Sequence, residues 1–146
     1  MKADYYVGFL RGLETFSQLF TKNGKGTYNV SGLPITISDS PQFIWRGLMI
    51  DTSRYFLDTS TIKKVIDGML YMKLNVLHWH IVDEDSFPMH VPSVPELSDY
   101  GSIGGVYSQN DLKSIISYGK TRGVRVVPEI DTPGHTLSWG RSSKYS

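Results

Sequence analysis

A chain of 146 residues, 40% hydrophobic, 20% charged and of net charge +1, has the length and balance of one ordinary globular domain. The near-neutral charge, with no basic cluster and no interleaving of basic and aromatic residues, argues against nucleic acid as a partner. The lack of cysteine excludes disulfides and thiolate metal sites, no apolar run approaches the roughly 18 residues of a membrane span, and the first residues do not open a signal peptide.

Residues 4–22 are expected to form an amphipathic helix, because Tyr6, Phe9, Leu10, Leu13, Phe16 and Phe20 fall at three- and four-residue steps. Asn23-Gly24 is the expected stop. Two short strands, Thr27–Val30 and Pro34–Ser38, are expected about a Ser31-Gly32 turn. Asn29-Val30-Ser31 has the form of a glycosylation acceptor, a triplet common by chance. A helix and a hairpin are too little for a domain, so residues 1–40 read as the C-terminal remnant of a small α+β domain.

The pattern changes after Pro41. Gly47–Asp51 is a short strand ending in an acid, followed by Thr52-Ser53-Arg54. Asp58 to Thr61 supply caps for a helix with Ile62, Val65, Ile66, Met69 and Leu70 on one face. Residues 74–82 form an apolar strand that ends abruptly in Asp83-Glu84-Asp85. A loop with Pro88, Pro92 and Pro95 follows, through which helices and strands are not expected. Ser108 and Asp111 open a helix in the manner of a capping box, and Gly123 closes it. The third strand is Val124–Ile130, ending at Asp131, after which Thr132-Pro133-Gly134-His135 turns sharply.

Strand, helix, strand, helix, strand makes two successive βαβ units, hence parallel strands with right-handed crossovers. Asp51, Asp83 and Asp131 then end on one edge of the sheet, where α/β proteins bind ligands. A single terminal Asp is as readily a helix cap or a solvated strand end. Three together, with Arg54 and His135 just beyond, point to a functional rim. Such a sheet, with helices on one side, leaves apolar edges and a bare face, and a closed (β/α)8 barrel takes about 250 residues. The fold class is therefore read as α/β, with residues 41–146 the first three βα units of a TIM barrel and the chain cut at both ends.

Two chemistries fit the rim. His78 and His80 alternate by two and share a strand face, and a His-x-His pair with a rim Asp is one style of hydrolase metal site. Asp83, however, has the parity of Leu77 and Trp79, and only His135 adds a further ligand, so no metal and no cofactor is expected. The competing reading has both histidines buried and hydrogen-bonded within the strand layer. The second chemistry is carboxylate-based glycoside hydrolysis. Arg54 presents several donors to sugar hydroxyls, and a histidine held between carboxylates tunes the pKa of an acid. Trp45, Trp79 and Trp139 are assigned to the core rather than to sugar stacking.

Longer motifs carry a resemblance. Arg46-Gly47-Leu48-Met49-Ile50-Asp51-Thr52-Ser53-Arg54 resembles the first-strand motif of β-N-acetylhexosaminidases, family twenty of the glycoside hydrolases. Lys73-Leu74-Asn75-Val76-Leu77-His78-Trp79-His80-Ile81-Val82-Asp83 is similar to the second-strand motif, and Asp131-Thr132-Pro133-Gly134-His135-Thr136-Leu137-Ser138-Trp139-Gly140 to the third-strand rim. Arg11-Gly12-Leu13-Glu14-Thr15-Phe16-Ser17-Gln18-Leu19 resembles the helix that closes the small domain before the barrel. The resemblance implies removal of terminal, non-reducing N-acetyl-β-D-hexosamine from oligosaccharides, glycoproteins or glycolipids, by substrate-assisted retaining catalysis.

The resemblance further implies that Arg54 binds the hydroxyls of the terminal sugar. Asp83 and His135 become a supporting relay to a catalytic glutamate, and Asp51, Asp131 and His80 candidates for rim support. It implies a lysosomal or secreted protein, compatible with glycosylation at Asn29, and a full-length form able to dimerise. The family's catalytic Asp-Glu pair belongs to the end of the fourth strand. Asp83-Glu84, the sole Asp-Glu step here, lies on the second strand and is not that pair. The chain by itself is expected to be inactive. The alternative is a non-catalytic truncated paralogue that binds glycan or a partner subunit, and a metal-dependent TIM-barrel hydrolase stands further off.

Overall fold

The computed structural model describes residues 1–142. The chain divides into two compact units, residues 1–46 and residue 47 onward.

In the first unit, helix α1 spans Tyr6–Ser17, shorter than the periodicity of residues 4–22 suggests. It ends early because Thr21–Lys22 (β1) is drawn into an antiparallel pair with Tyr28–Asn29 (β2). The expected hairpin about Ser31-Gly32 is thus displaced, and Pro34–Ser38 forms no strand. Asn23 is the reason. Its Oδ1 accepts from the Lys25 and Thr27 backbone N–H groups, each at 3.0 Å, and so folds the turn one element earlier. Asn29 is exposed, as a glycan acceptor requires.

The second unit holds a parallel sheet ordered β3 (Gly47–Asp51), β4 (Val76–Val82), β5 (Arg125–Ile130). Helices α2 (Thr59–Tyr71) and α4 (Gln109–Thr121) follow β3 and precede β5, giving the expected α/β alternation. α2 starts where Asp58 accepts a hydrogen bond from Thr61 N–H at 2.6 Å. α4 starts at a complete Ser108–Asp111 capping box. Among the described residues, no helix is long and apolar enough to cross a membrane.

The alternation along β4 sets the core. Leu77, Trp79 and Ile81 are fully buried together with Ile62, Ile66 and Met69 of α2 and Ile115 of α4. Trp79 donates from Nε1 to Thr52 Oγ1 at 2.9 Å and stacks edge-on against Tyr107, so its one polar atom is satisfied. Tyr107 in turn donates to the Leu57 carbonyl, and burial pushes its phenol up to about 12.

The segment after Asp83 is not the structureless loop its prolines suggest. It buries Phe87, Met89 and Leu97, forms a parallel bridge between Met89 and Tyr107, and contains helix α3 (Glu96–Gly101). Pro95 begins that helix instead of preventing it. At the N-cap its missing N–H is of no consequence, while its carbonyl accepts from Ser98 and Asp99 at 3.1 and 3.0 Å. A short 3-10 turn, Leu137–Arg141, lies against α3. Gly101 permits this approach, since a Cβ there would sit 2.7 Å from the Ser138 carbonyl oxygen. The contact matters for the site, because Ser138 Oγ donates to the Asp83 carbonyl at 2.5 Å.

Candidate active site

The three strand-end acids do not stand at one level. Asp51 pairs with His80 across β3 and β4, and His80 pairs with Glu129 across β4 and β5. The row at that level is therefore Asp51, His80 and Glu129, with Asp83 and Asp131 beyond the strand ends. Between His80 and Val82 the β4–β5 register slips, so that two steps on β4 answer one on β5. The slip inverts the alternation. Asp83, which simple parity puts on the side of Leu77 and Trp79, turns to the side of the histidines, and its Oδ2 lies 2.7 Å from His80 Nε2.

Asp83 is the hub. Its side chain is only 1% exposed, yet four donors converge on it. Oδ1 accepts from the Glu84 N–H at 2.5 Å and faces His135 Nδ1 at 3.2 Å. Oδ2 faces His80 Nε2 and Arg54 Nη1, the latter at 2.9 Å. Ser53 braces the strand end from below. It donates to the Ser86 carbonyl at 2.8 Å and accepts from the Ser86 N–H at 3.1 Å.

Arg54 is gripped by three carboxylates. Nη1 reaches Asp51 Oδ2 at 2.8 Å as well as Asp83, and Nε donates to Asp85 Oδ2 at 2.9 Å. Asp51 also folds the turn that presents Arg54, because its Oδ1 accepts from the Ser53 and Arg54 backbone N–H groups at 2.9 and 3.1 Å. The other terminal nitrogen, Nη2, takes part in none of these contacts. The side chain is 45% exposed even with three carboxylates holding it.

His135 sits in the turn after β5 with φ of 57°, a left-handed conformation unusual for a residue with a side chain. The ring is half-exposed, with one nitrogen toward Asp83 and the other side open. Asp131 comes within 4.8 Å of His80 and Glu129 without a hydrogen bond to either. Glu84 is exposed, with a carboxylate oxygen within 4.8 Å of Asp83 and His135, and its backbone N–H donates to Asp83.

Two groups escaped the sequence reading. Glu129 Oε2 faces both His78 Nε2 and His80 Nδ1, the second at 3.2 Å. The signal was present: an acid inside an apolar strand needs a partner. Asp85 is the other, visible in sequence only as one of three adjacent acids. The reading of both histidines as buried holds for His80, whose side chain is 9% exposed, but not for His78 at 41%. His80 has both nitrogens engaged by carboxylates, and the Arg54 cation stands 3.3 Å away. That environment disfavours a metal cation there.

Burial opposes charge on every one of these groups, and the contacts overcome it. For Asp83, desolvation raises the carboxyl, but the Glu84 N–H, His80, Arg54 and His135 outweigh it and hold the pKa below the ordinary range. Asp51 and Glu129 are likewise held low after desolvation is overcome, by Arg54 and by His80 with His78 respectively. Desolvation lowers His80, yet its hydrogen bonds to Asp83 and Glu129 raise it above the ordinary 6.5.

Stability should follow these shifts. The His80 contribution is complete below 6.5 and is lost as pH rises through its raised value. The carboxylate contributions are complete above the ordinary 3.8 and 4.5 and vanish as pH falls through the lowered values. The thermal midpoint of the chain is expected to plateau between about pH 5 and 6.5 and to decline on both sides. A midpoint that keeps rising from pH 6 to pH 9 would contradict the imidazolium at His80.

Residues 43–145 match the profile described as glycosyl hydrolase family 20, catalytic domain. The chain belongs to that family. Over 146 residues this family 20 chain is 51% identical to β-hexosaminidase subunit beta of Mus musculus, covering 99% of the chain and 27% of the relative. Over 136 residues it is 50% identical to β-hexosaminidase subunit alpha of Rattus norvegicus, covering 91% and 25%. The chain thus spans about a quarter of the length of these curated relatives. Among solved structures it is similar to a family 20 β-N-acetylglucosaminidase, with a TM-score of 0.86 and 32% identity over 97% of this chain and 30% of that one. The Flavobacterium johnsoniae chitobiase gives a TM-score of 0.82 and 40% identity, covering 90% and 20%. The family 20 resemblance read from the strand motifs is borne out.

Proposed function

We propose that this chain supplies the terminal-sugar rim of a retaining β-N-acetylhexosaminidase. Its three parallel strands are the first three of a (β/α)8 barrel, and residues 1–40 are the end of a small α+β domain. The substrate is a terminal, non-reducing N-acetyl-β-D-hexosamine on an oligosaccharide, glycoprotein or glycolipid. Arg54 binds hydroxyls of that sugar through the nitrogen its carboxylates leave unused. The 2-acetamido oxygen attacks the anomeric carbon while a carboxylic acid protonates the departing oxygen. Water then opens the oxazolinium and restores the β configuration. Asp83 and His135 form the relay that holds the proton on that acid.

The observation that carries this reading is the convergence of Arg54 and His135, each about half-exposed, on one buried carboxylate. A non-catalytic paralogue has no need of His135 in that arrangement. The relatives named as alpha and beta subunits support a partner subunit for the longer protein, and the family resemblance supports a lysosomal or secreted setting.

The acid itself is not found among these residues. Glu84, in the sole Asp-Glu step, lies at the end of the second strand, where the family resemblance does not put the acid. The purified 146-residue chain is therefore expected to release no 4-nitrophenol from 4-nitrophenyl N-acetyl-β-D-glucosaminide above a buffer control. The positive test is a chimera in which this segment replaces its counterpart in the mouse beta subunit. The chimera should hydrolyse that substrate, and Arg54→Ala within it should lower kcat/KM by about 10²-fold or more, since charge-assisted donors to the sugar are removed. A folded chimera without turnover sinks the proposal.

A further inference from the structure

The relay just described uses Asp83, His135 and Arg54, and leaves His80 and Glu129 without a task. Both lie at the centre of the rim. His80 is nearly buried, and its two ring nitrogens face carboxylates from different parts of the chain, Asp83 at the end of β4 and Glu129 on β5. A histidine that only filled space would need one partner.

We propose that His80 and Glu129 are a positioning pair for the rim: Glu129 fixes one ring nitrogen of His80, so that the other holds Asp83 Oδ2 beside Arg54 and leaves Oδ1 directed at His135. What the rim acts on rests on the hexosaminidase reading; the geometry of the pair does not. A carboxylate has two oxygens and can rotate. Asp83 Oδ1 is tied to the Glu84 N–H by a contact local to the backbone, and only His80 and Arg54 define the Oδ2 side. Arg54 cannot fix it alone, because the same Nη1 is shared with Asp51. The imidazole is the rigid stop, and Glu129 sets its rotation from across the strand pair.

Other groups face His80 as well. Asp51 and Arg54 come from the end of β3 and its turn, Asp83 from the end of β4, and Glu129 and Asp131 from β5 and just beyond it. His78 shares Oε2 of Glu129 with His80. Removal of the Glu129 charge should therefore be felt at both histidines and, through Asp83, at His135, which Glu129 does not touch.

The test is long-range proton–nitrogen NMR of the 146-residue chain with nitrogen-15-labelled histidines, across pH 5 to 9, with His80→Gln for assignment. Wild type should show a His80 midpoint above the ordinary 6.5. Glu129→Gln should lower the His80 midpoint by about one pH unit or more and should also move the His135 ring signals. A His80 midpoint at or below the ordinary 6.5 in wild type overturns the proposal, and so does an unchanged His135 in Glu129→Gln. If Glu129→Gln does not fold, Glu129→Asp withdraws the same carboxylate by one methylene and is judged by the same two signals. No sugar enters this experiment, so its failure leaves the hexosaminidase reading standing. An inactive chimera, conversely, leaves this pair untouched.

Discussion

Asp83→Asn is expected to lower the unfolding free energy at pH 6 by about 3 kcal/mol, in the range seen when one partner of a buried ion cluster is removed. The carboxylate is buried and draws Arg54, His80, His135 and the Glu84 N–H together. An amide in its place turns a donor toward groups that are themselves donors, and it carries no charge to answer the His80 imidazolium. The figure stays at the lower end because Arg54 is 45% exposed and keeps Asp51 and Asp85, so solvent and those partners absorb part of the loss. Urea unfolding followed by circular dichroism reads the change. Glu84→Gln, one residue along but solvated, should shift stability by no more than about 0.5 kcal/mol. Equal losses for the two variants would show that Asp83 is not the hub.

Trp79→Ala is expected to cost more, about 3–5 kcal/mol. The indole is fully buried between the helices and Tyr107, and its deletion leaves a void where Ile62, Ile66 and Met69 of α2 meet β4. Against a total of roughly 5–15 kcal/mol for a typical domain, that is enough to unfold much of the population. Trp79→Phe separates packing from hydrogen bonding. It retains most of the volume but leaves Thr52 Oγ1 without its donor, and should cost about 1–2 kcal/mol. Thermal melts of the two variants beside wild type check the order. A Trp79→Phe loss as large as that of Trp79→Ala would mean that the hydrogen bond, not the packing, dominates.

The regular elements of the second unit were legible because each advertises its period. The α2 stripe of Ile62, Ile66 and Met69 and the Ser108–Asp111 box are local patterns, and they appear where expected. Misreadings arose where a side chain or a position within an element overruled composition. Asn23 folds a turn that Ser31-Gly32 seemed better placed to make, and Pro95 starts a helix from the one position where proline does no harm. The site was half legible. Arg54, Asp83 and His135 stood out as polar groups just past strand ends. Glu129 announced only that an acid inside an apolar strand needs a partner; which partner depends on the β4–β5 pairing, a non-local fact that no window of sequence contains.

The slip between His80 and Val82 has a genetic consequence. Ile81 is the extra residue that restarts the alternation, and it is itself fully buried. Insertion of a single further codon between Val82 and Asp83 would keep every charged residue of the rim in the protein, yet rotate Asp83 to the opposite face, away from Arg54, His80 and His135. Point substitutions at this strand end exchange one chemistry for another. A one-codon insertion dismantles the constellation while preserving its composition. The reading frame of the rim is therefore set by a residue that takes no part in it.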